Sequence, residues 1–236
     1  MGMIYQNLQT VRAQIDAACT DCGRNPTEVC LLAVSKTWGL DAVREAYSAG
    51  QRQFGENYVQ EGVDKIAQLA STGELAEAVW HMIGPVQSNK TRDVAAHFAW
   101  VHSIDRLKTA QRLSQQRPPG MAPLQVCIQV NIDNGANKSG VAPGAAAAAL
   151  ASEVAALPHM VLRGIMVIPE PTTDLIAARA AFAWARTLFE QIKQVHTACD
   201  TLSMGMSADM AAAVQCGSTM VRVGSAIFGQ RGAKSS

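Results

Sequence analysis

The sequence predicts an α/β protein, a single (β/α)8 TIM barrel, and three observations lead there. Eight short apolar runs alternate with longer amphipathic stretches along the 236 residues, and such alternation points to one all-parallel sheet. The first run, Val29-Cys30-Leu31-Leu32-Ala33-Val34, is apolar throughout, as expected of a strand covered on both faces. Eight is also the number of strands that closes a parallel barrel, and 236 residues is a natural length for one. A doubly wound open sheet is the runner-up, but no G-x-G-x-x-G follows any strand. Residues 1–236 are read as one domain.

The elements follow in order. A helix over Ile4–Cys22 comes first, because Ile4, Leu8, Val11, Ile15 and Ala18 recur at helical spacing. The strand Val29–Ser35 ends on Lys36. Helix Leu40–Ala49 leads to strand Gln53–Glu56, helix Asn57–Ala70 to strand Trp80–Gly84, and helix Val86–Ala96 to strand Trp100–Ser103. Arg106–Gln116 precedes strand Leu124–Asn131. Pro143–Ala156, alanine-rich because it is helical, precedes Val161–Ile168. The long helix Asp174–His196 leads to Thr201–Met204, and Ala208–Cys216 to Thr219–Ser225. Pro118-Pro119-Gly120 and residues 135–144 interrupt the pattern as loops within the domain.

Composition narrows the function. A hydrophobic content of 48% with 17% charged residues describes a globular protein with a large core. A formal charge of +1 gives no electrostatic reason to expect nucleic acid or a membrane surface as partner. No apolar stretch approaches the roughly 20 residues of a spanning helix. The segment Met1-Gly2-Met3-Ile4-Tyr5-Gln6 lacks the basic region and apolar core of a signal peptide, so a cytoplasmic address is expected. Six scattered cysteines need no disulfide framework. The pair Cys19-x-x-Cys22 falls on the first helix, where both are expected to face the core, and no zinc spacing accompanies it. The histidines His81, His97, His102, His159 and His196 form no ligand spacing and read as surface or structural. No metal site is expected, and with no obvious apolar patch the chain reads as a monomer.

In a barrel, chemistry sits at the C-terminal ends of the strands. Those ends carry Lys36; Glu56 and Asn57; Gly84 and Gln87; Ser103 and Asp105; Asn131; Ile168; Ser203 to Ser207; and Arg222, Gly224 and Ser225. Polar groups and glycines predominate there, which suits a small polar ligand. An ammonium at the mouth of a buried strand is poorly hydrated, which lowers its pKa and makes Lys36 a nucleophile for an aldehyde, as in a Schiff base with pyridoxal phosphate. A lysine that snorkels to solvent is the alternative. Ser203-Met204-Gly205-Met206-Ser207 and Arg222-Val223-Gly224-Ser225 follow strands seven and eight, where barrel phosphate sites recur. Ser207 is read as a helix N-cap whose following amides face an oxyanion. A purely structural cap and turn is the other reading.

Five blocks carry a resemblance: Leu32-Ala33-Val34-Ser35-Lys36-Thr37, Phe54-Gly55-Glu56-Asn57-Tyr58-Val59-Gln60-Glu61, Trp80-His81-Met82-Ile83-Gly84-Pro85-Val86-Gln87-Ser88-Asn89-Lys90, Leu202-Ser203-Met204-Gly205-Met206-Ser207, and Val221-Arg222-Val223-Gly224-Ser225-Ala226-Ile227-Phe228-Gly229. Together they resemble the pyridoxal phosphate homeostasis protein family, over residues 32–229. The resemblance implies a barrel like the N-terminal domain of alanine racemase, the fold type III arrangement, and a role in vitamin B6 homeostasis. It implies that Lys36 forms the internal aldimine with pyridoxal 5'-phosphate and that Arg222 faces the pyridine nitrogen. It places Gly224, Ser225 and Ser207 on the phosphate, with Ser203 a neighbour, and Asn57 along the cofactor cleft. Asn137-Lys138-Ser139-Gly140 also looks like a family block, a mouth loop without assigned chemistry. Lys138 and Lys234 are noted as further lysines for transient binding.

A racemase needs acid/base groups on both faces of the cofactor. Racemase-like proteins supply one from a tyrosine in a second domain, and this sequence ends at residue 236 without that domain. Tyr58 is the one stand-in and is read as core or rim. No catalytic residue is therefore assigned. The expected function is to hold and buffer pyridoxal phosphate and deliver it to apo-enzymes that depend on it. The alternatives are a slow amino-acid racemase and, further off, a lysine aldolase.

Overall fold

Residues of alternating facing, apolar outward and mixed inward, build the barrel. The computed structural model describes residues 2–133, 135, 138–172 and 174–229, with Leu175 by its backbone alone; Asn137 and Lys234 lie outside the described residues. The strands are β1 (Cys30–Val34), β2 (Gln53–Glu56), β3 (Val79–Met82), β4 (Trp100–Ile104), β5 (Leu124–Val130), β6 (Met160–Val167), β7 (Thr201–Ser203) and β8 (Met220–Val223). They pair in parallel in chain order, and β8 returns beside β1 with Leu32 opposite Arg222 to close the barrel. The expected fold class is the observed one.

The helices are α1 (Met3–Asp21), α2 (Leu40–Ser48), α3 (Val59–Thr72), α4 (Thr91–His97), α5 (Leu107–Gln116), α6 (Ala145–Ala155), α7 (Leu175–Val195), α8 (Met210–Gln215) and α9 (Ser225–Phe228). Ile4, Leu8, Val11, Ile15, Ala18 and Cys19 form the buried stripe of α1, which packs against α2, α8 and α9. Helix α9, four residues long, is too short to cover its strand. The helix ahead of β1 fills that gap between α8 and α2. Cys22 differs from expectation: it is the exposed C-cap of α1, while Cys19 is buried.

Three boundaries differ with visible causes. The stretch read as one helix from Val86 divides into a 3-10 turn, Ser88–Lys90, and α4. The last strand stops at Val223, because Ser225 opens α9. Helix α8 starts at Met210, because Asp209 Oδ1 accepts the Met206 N–H at 2.6 Å and closes residues 206–209 into a turn. Ser207 lies inside that turn and is not a helix N-cap.

Strands and helices enclose an outer apolar core that includes Phe54, Met82, Phe98, Ile104, Leu113 and Ile165. Inside the barrel the packing is mixed. Gly55, His81 and Trp100 share one register across β2, β3 and β4, and His81 stacks on Trp100 with centroids 5.1 Å apart. At the N-terminal end Arg163 lies over the Trp100 ring, donates to Gln125 at 2.8 Å and pairs with Asp200. That end is thereby plugged, and the opposite end stays open. Among the described residues no helix is long and apolar enough to cross a membrane, and no cluster has metal-ligating geometry.

Candidate functional site

Lys36 follows β1 at the open end, half-buried, and the backbone on either side of it is pinned from behind. The buried Lys65 ammonium, on α3, donates to the Ser35 carbonyl at 2.9 Å, to Glu56 Oε1 at 2.8 Å and to Glu61 Oε1 at 2.7 Å. Ser35 Oγ donates to the same Glu56 oxygen at 2.6 Å. Glu61 Oε1 in turn accepts the Thr37 N–H at 2.5 Å. Thr37 has φ of +68°, a left-handed conformation that a β-branched residue adopts only when its surroundings impose it. Burial raises the Glu56 pKa against the lowering influence of Lys65. Glu56 thus differs from expectation. Its side chain is turned away from the mouth, into this cluster.

Arg222 rises from β8, the strand next to β1. It is 4% exposed. One of its guanidinium nitrogens donates to Ser203 Oγ at 2.8 Å and another to the Val167 carbonyl at 2.9 Å. Both partners are neutral, so the cation has no ion pair among the described residues. Burial pushes its pKa down to about 10, which leaves it charged at neutral pH. Beside it, Gly224 lies so close to β1 that a Cβ would come 3.2 Å from the Val34 carbonyl oxygen. Ser225 Oγ and Ser207 Oγ are 3.3 Å apart, one after β8 and one after β7. The Arg222 N–H donates to the Gly205 carbonyl at 2.9 Å and ties those two loops together. Trp38 stacks on Phe228 at 6.0 Å and joins the loop that carries Lys36 to α9.

Lys36, Asn57, Ser207, Arg222, Gly224 and Ser225 all line one cleft of about 650 Å³, with Val34, Trp38, Ile83, Ile168 and Met206 as its apolar part. Asn57 is held where Gly84 meets its backbone, since a Cβ on Gly84 would fall 2.1 Å from the Asn57 carbonyl oxygen. The Asn57 Oδ1 is buried without a hydrogen-bond partner among the described residues. Ser203 does not line the cleft. It is fully buried beneath Arg222. Tyr58 stands exposed at the start of α3, outside the cleft lining. Lys138 is also outside the lining and pairs with Asp133 at 2.7 Å and Glu170 at 3.0 Å. Partial burial works against its charge, but the two carboxylates outweigh that and raise its pKa.

Two residues read as merely structural are part of this arrangement. His81 and His102 are wholly buried inside the barrel, 2.9 Å apart from Nδ1 of one to Nε2 of the other. His102 Nδ1 is 3.1 Å from Ser203 Oγ, and His81 Nε2 is 2.7 Å from Gln53 Oε1. Burial pushes both rings' pKa down, His102 to about 3. No tryptophan spacing marks their inward position, since His81 directly follows Trp80 while His102 lies two residues after Trp100, and their mutual contact exists only in the closed sheet.

Comparison with known proteins gives consistent results. The family model for the alanine racemase N-terminal domain matches residues 6–232. A Vibrio cholerae protein named pyridoxal phosphate homeostasis protein is 54% identical over 231 residues, 98% of this chain and 98% of the relative. An Escherichia coli K12 protein of the same name is 52% identical over 231 residues, again 98% of each. Among solved structures, PipY of Synechococcus elongatus with PLP bound has a TM-score of 0.81 at 36% identity, covering 96% of this chain and all (100%) of that one. Alanine racemase of Corynebacterium glutamicum shares the fold, with a TM-score of 0.64 at 17% identity over 97% of this chain and 63% of that one.

Proposed function

The chain belongs to the pyridoxal phosphate homeostasis protein family, within the wider alanine racemase N-terminal domain family, and from that membership we propose that it is a cytoplasmic, monomeric carrier that holds pyridoxal 5'-phosphate in the cleft and passes it to apo-enzymes, the whole chain serving as one binding domain. The observation that carries this is the cleft itself: a buried guanidinium with no ion pair among the described residues, lining the same cleft as a lysine, two glycines and two serines. A buried cation is costly unless compensated. A phosphorylated anion bound in the same cleft would offset part of that cost through its negative charge, and the close approach of Gly224 to Val34 is tight for a side chain.

Each residue has a part. Lys36 presents its amine, oriented by the backbone clamp on Ser35 and Thr37. Ser207, Gly224 and Ser225 hold the phosphate through hydroxyl and backbone N–H groups. Asn57 offers an acceptor along the wall. Arg222 donates to the pyridine nitrogen, and because arginine keeps its own proton, that nitrogen stays unprotonated. Bound there, the cofactor supplies an aldehyde that condenses with amines and an aromatic ring that withdraws electrons. An unprotonated ring withdraws them weakly. Among the described lining residues there is no carboxylate, histidine, cysteine or tyrosine. Racemisation needs a second acid/base group, so this lining supports holding the cofactor over turning over an amino acid.

The test is the visible spectrum of purified protein with added pyridoxal phosphate, beside Lys36→Ala, with borohydride reduction and mass mapping of the labelled lysine. A band and a label at Lys36, both lost in the variant, with no interconversion of amino-acid enantiomers, is the expected result. Protein that stays colourless would sink the reading, and multiple turnovers would move the function to catalysis.

A further inference from the structure

Hydrogen-bond directions inside the barrel are determined from two ends, the Arg222 guanidinium and the Gln53 amide oxygen. A guanidinium can only donate, so Ser203 Oγ accepts from Arg222. At the far end Gln53 Oε1 can only accept, so His81 carries its hydrogen on Nε2 and, as a neutral ring, accepts at Nδ1 from His102 Nε2–H. His102, with its hydrogen on Nε2, then accepts at Nδ1 from the Ser203 hydroxyl. Each bond runs away from Arg222 and each lone pair points back toward it. With the hydrogens so placed, a second proton on His81 would set two N–H groups against each other at 2.9 Å. The five residues stand on β8, β7, β4, β3 and β2, and among them only Arg222 reaches the cleft.

We propose that Ser203, His102 and His81 are positioning residues for Arg222: a one-way hydrogen-bond relay that holds its charge without an ion pair and aims it into the cleft. The relay passes no proton toward the cofactor, because the guanidinium at its head only donates and takes up none. Its bearing on the cofactor rests on the assignment of Arg222 to the ring nitrogen proposed above. The relay itself does not. A carboxylate in Ser203's place would neutralise the guanidinium and weaken its pull on an anionic ligand. Neutral dipoles in series hold the cation and leave its charge for the ligand.

Nitrogen-15 NMR of the imidazole side chains in the cofactor-free protein tests the relay directly. The expected result is two neutral rings, each protonated on Nε2, unchanged from about pH 5 to 8. An imidazolium or an Nδ1–H form at either residue would overturn it. Ser203→Ala and Ser203→Thr, loaded with pyridoxal phosphate, test the positioning role. Ser203→Ala should shift the absorption maximum of the bound cofactor and weaken its retention about tenfold or more, the usual effect of losing a hydrogen bond to a charged group. Ser203→Thr, which keeps the hydroxyl, should restore both. An unshifted spectrum in Ser203→Ala would overturn the role. Wild-type protein that takes up no cofactor would overturn the link to Arg222's ligand, while the NMR result would still report on the relay.

Discussion

His102 illustrates how burial of one side chain sets a property of the whole protein. In the fold it takes up a proton only near pH 3, against an ordinary value of 6.5. Between those values the unfolded chain binds more protons than the folded one, so stability is full above the upper value and is lost as pH falls toward the lower. Each such histidine contributes a slope approaching about 1.4 kcal/mol per pH unit, and His81 acts in the same direction. Glu56, with its pKa raised by burial, works the opposite way in the carboxylate range. Urea midpoints should therefore drop between about pH 6.5 and 4.5, and His102→Gln should flatten the drop; equal slopes would refute the buried neutral ring. Lys36 was legible in the sequence at this scale because a lysine that ends an apolar run is a local pattern. Lys65 was not: it reads as one charged position on an amphipathic helix. Its contacts with Ser35 and Glu56 exist only once α3 lies against β1 and β2.

At the scale of elements, α1 contributes more than its place in the chain suggests. It covers the barrel where the short α9 cannot, and Leu8 and Val11 at its centre are buried. Leu8→Ala should cost about 2–5 kcal/mol, the range for a truncated core leucine. Chemical denaturation measures it, and a loss below about 1 kcal/mol would mean that α1 is not part of the barrel's core. The position of α1 could be read from its spacing of apolar residues. The starts of α8 and α9 could not. Thr219–Ser225 reads as one continuous strand, and it ends where Ser225 opens α9 and Gly224 packs on Val34. Similarly, Ser207 has the right residue type for a cap, but the Asp209 carboxylate two residues on captures the Met206 N–H and displaces the helix start.

For the whole molecule, a ligand that bridges the loops after β1, β7 and β8 can bind only when the barrel is closed, so binding is linked to folding. At about a hundredfold excess over the dissociation constant, pyridoxal phosphate should add about 2.7 kcal/mol. For a protein of this size that raises the melting temperature by about 5–11 °C. Calorimetry with and without the cofactor measures this; an unchanged melting temperature in protein that carries the visible band would contradict a site built from several loops. The sequence by itself determined the period of the strands, their number, and that Lys36, Asn57, Ser207, Arg222, Gly224 and Ser225 stand at one end. These follow from local patterning and from the rule that parallel strands in a barrel present all their C-terminal ends to the same side. Only the tertiary structure decided what lies behind those residues. Ser203 and His102 are 101 positions apart in the chain, and the stagger of the closed sheet alone makes them neighbours. That stagger takes Ser203 out of the cleft and places it, with two neutral histidines, beneath the arginine.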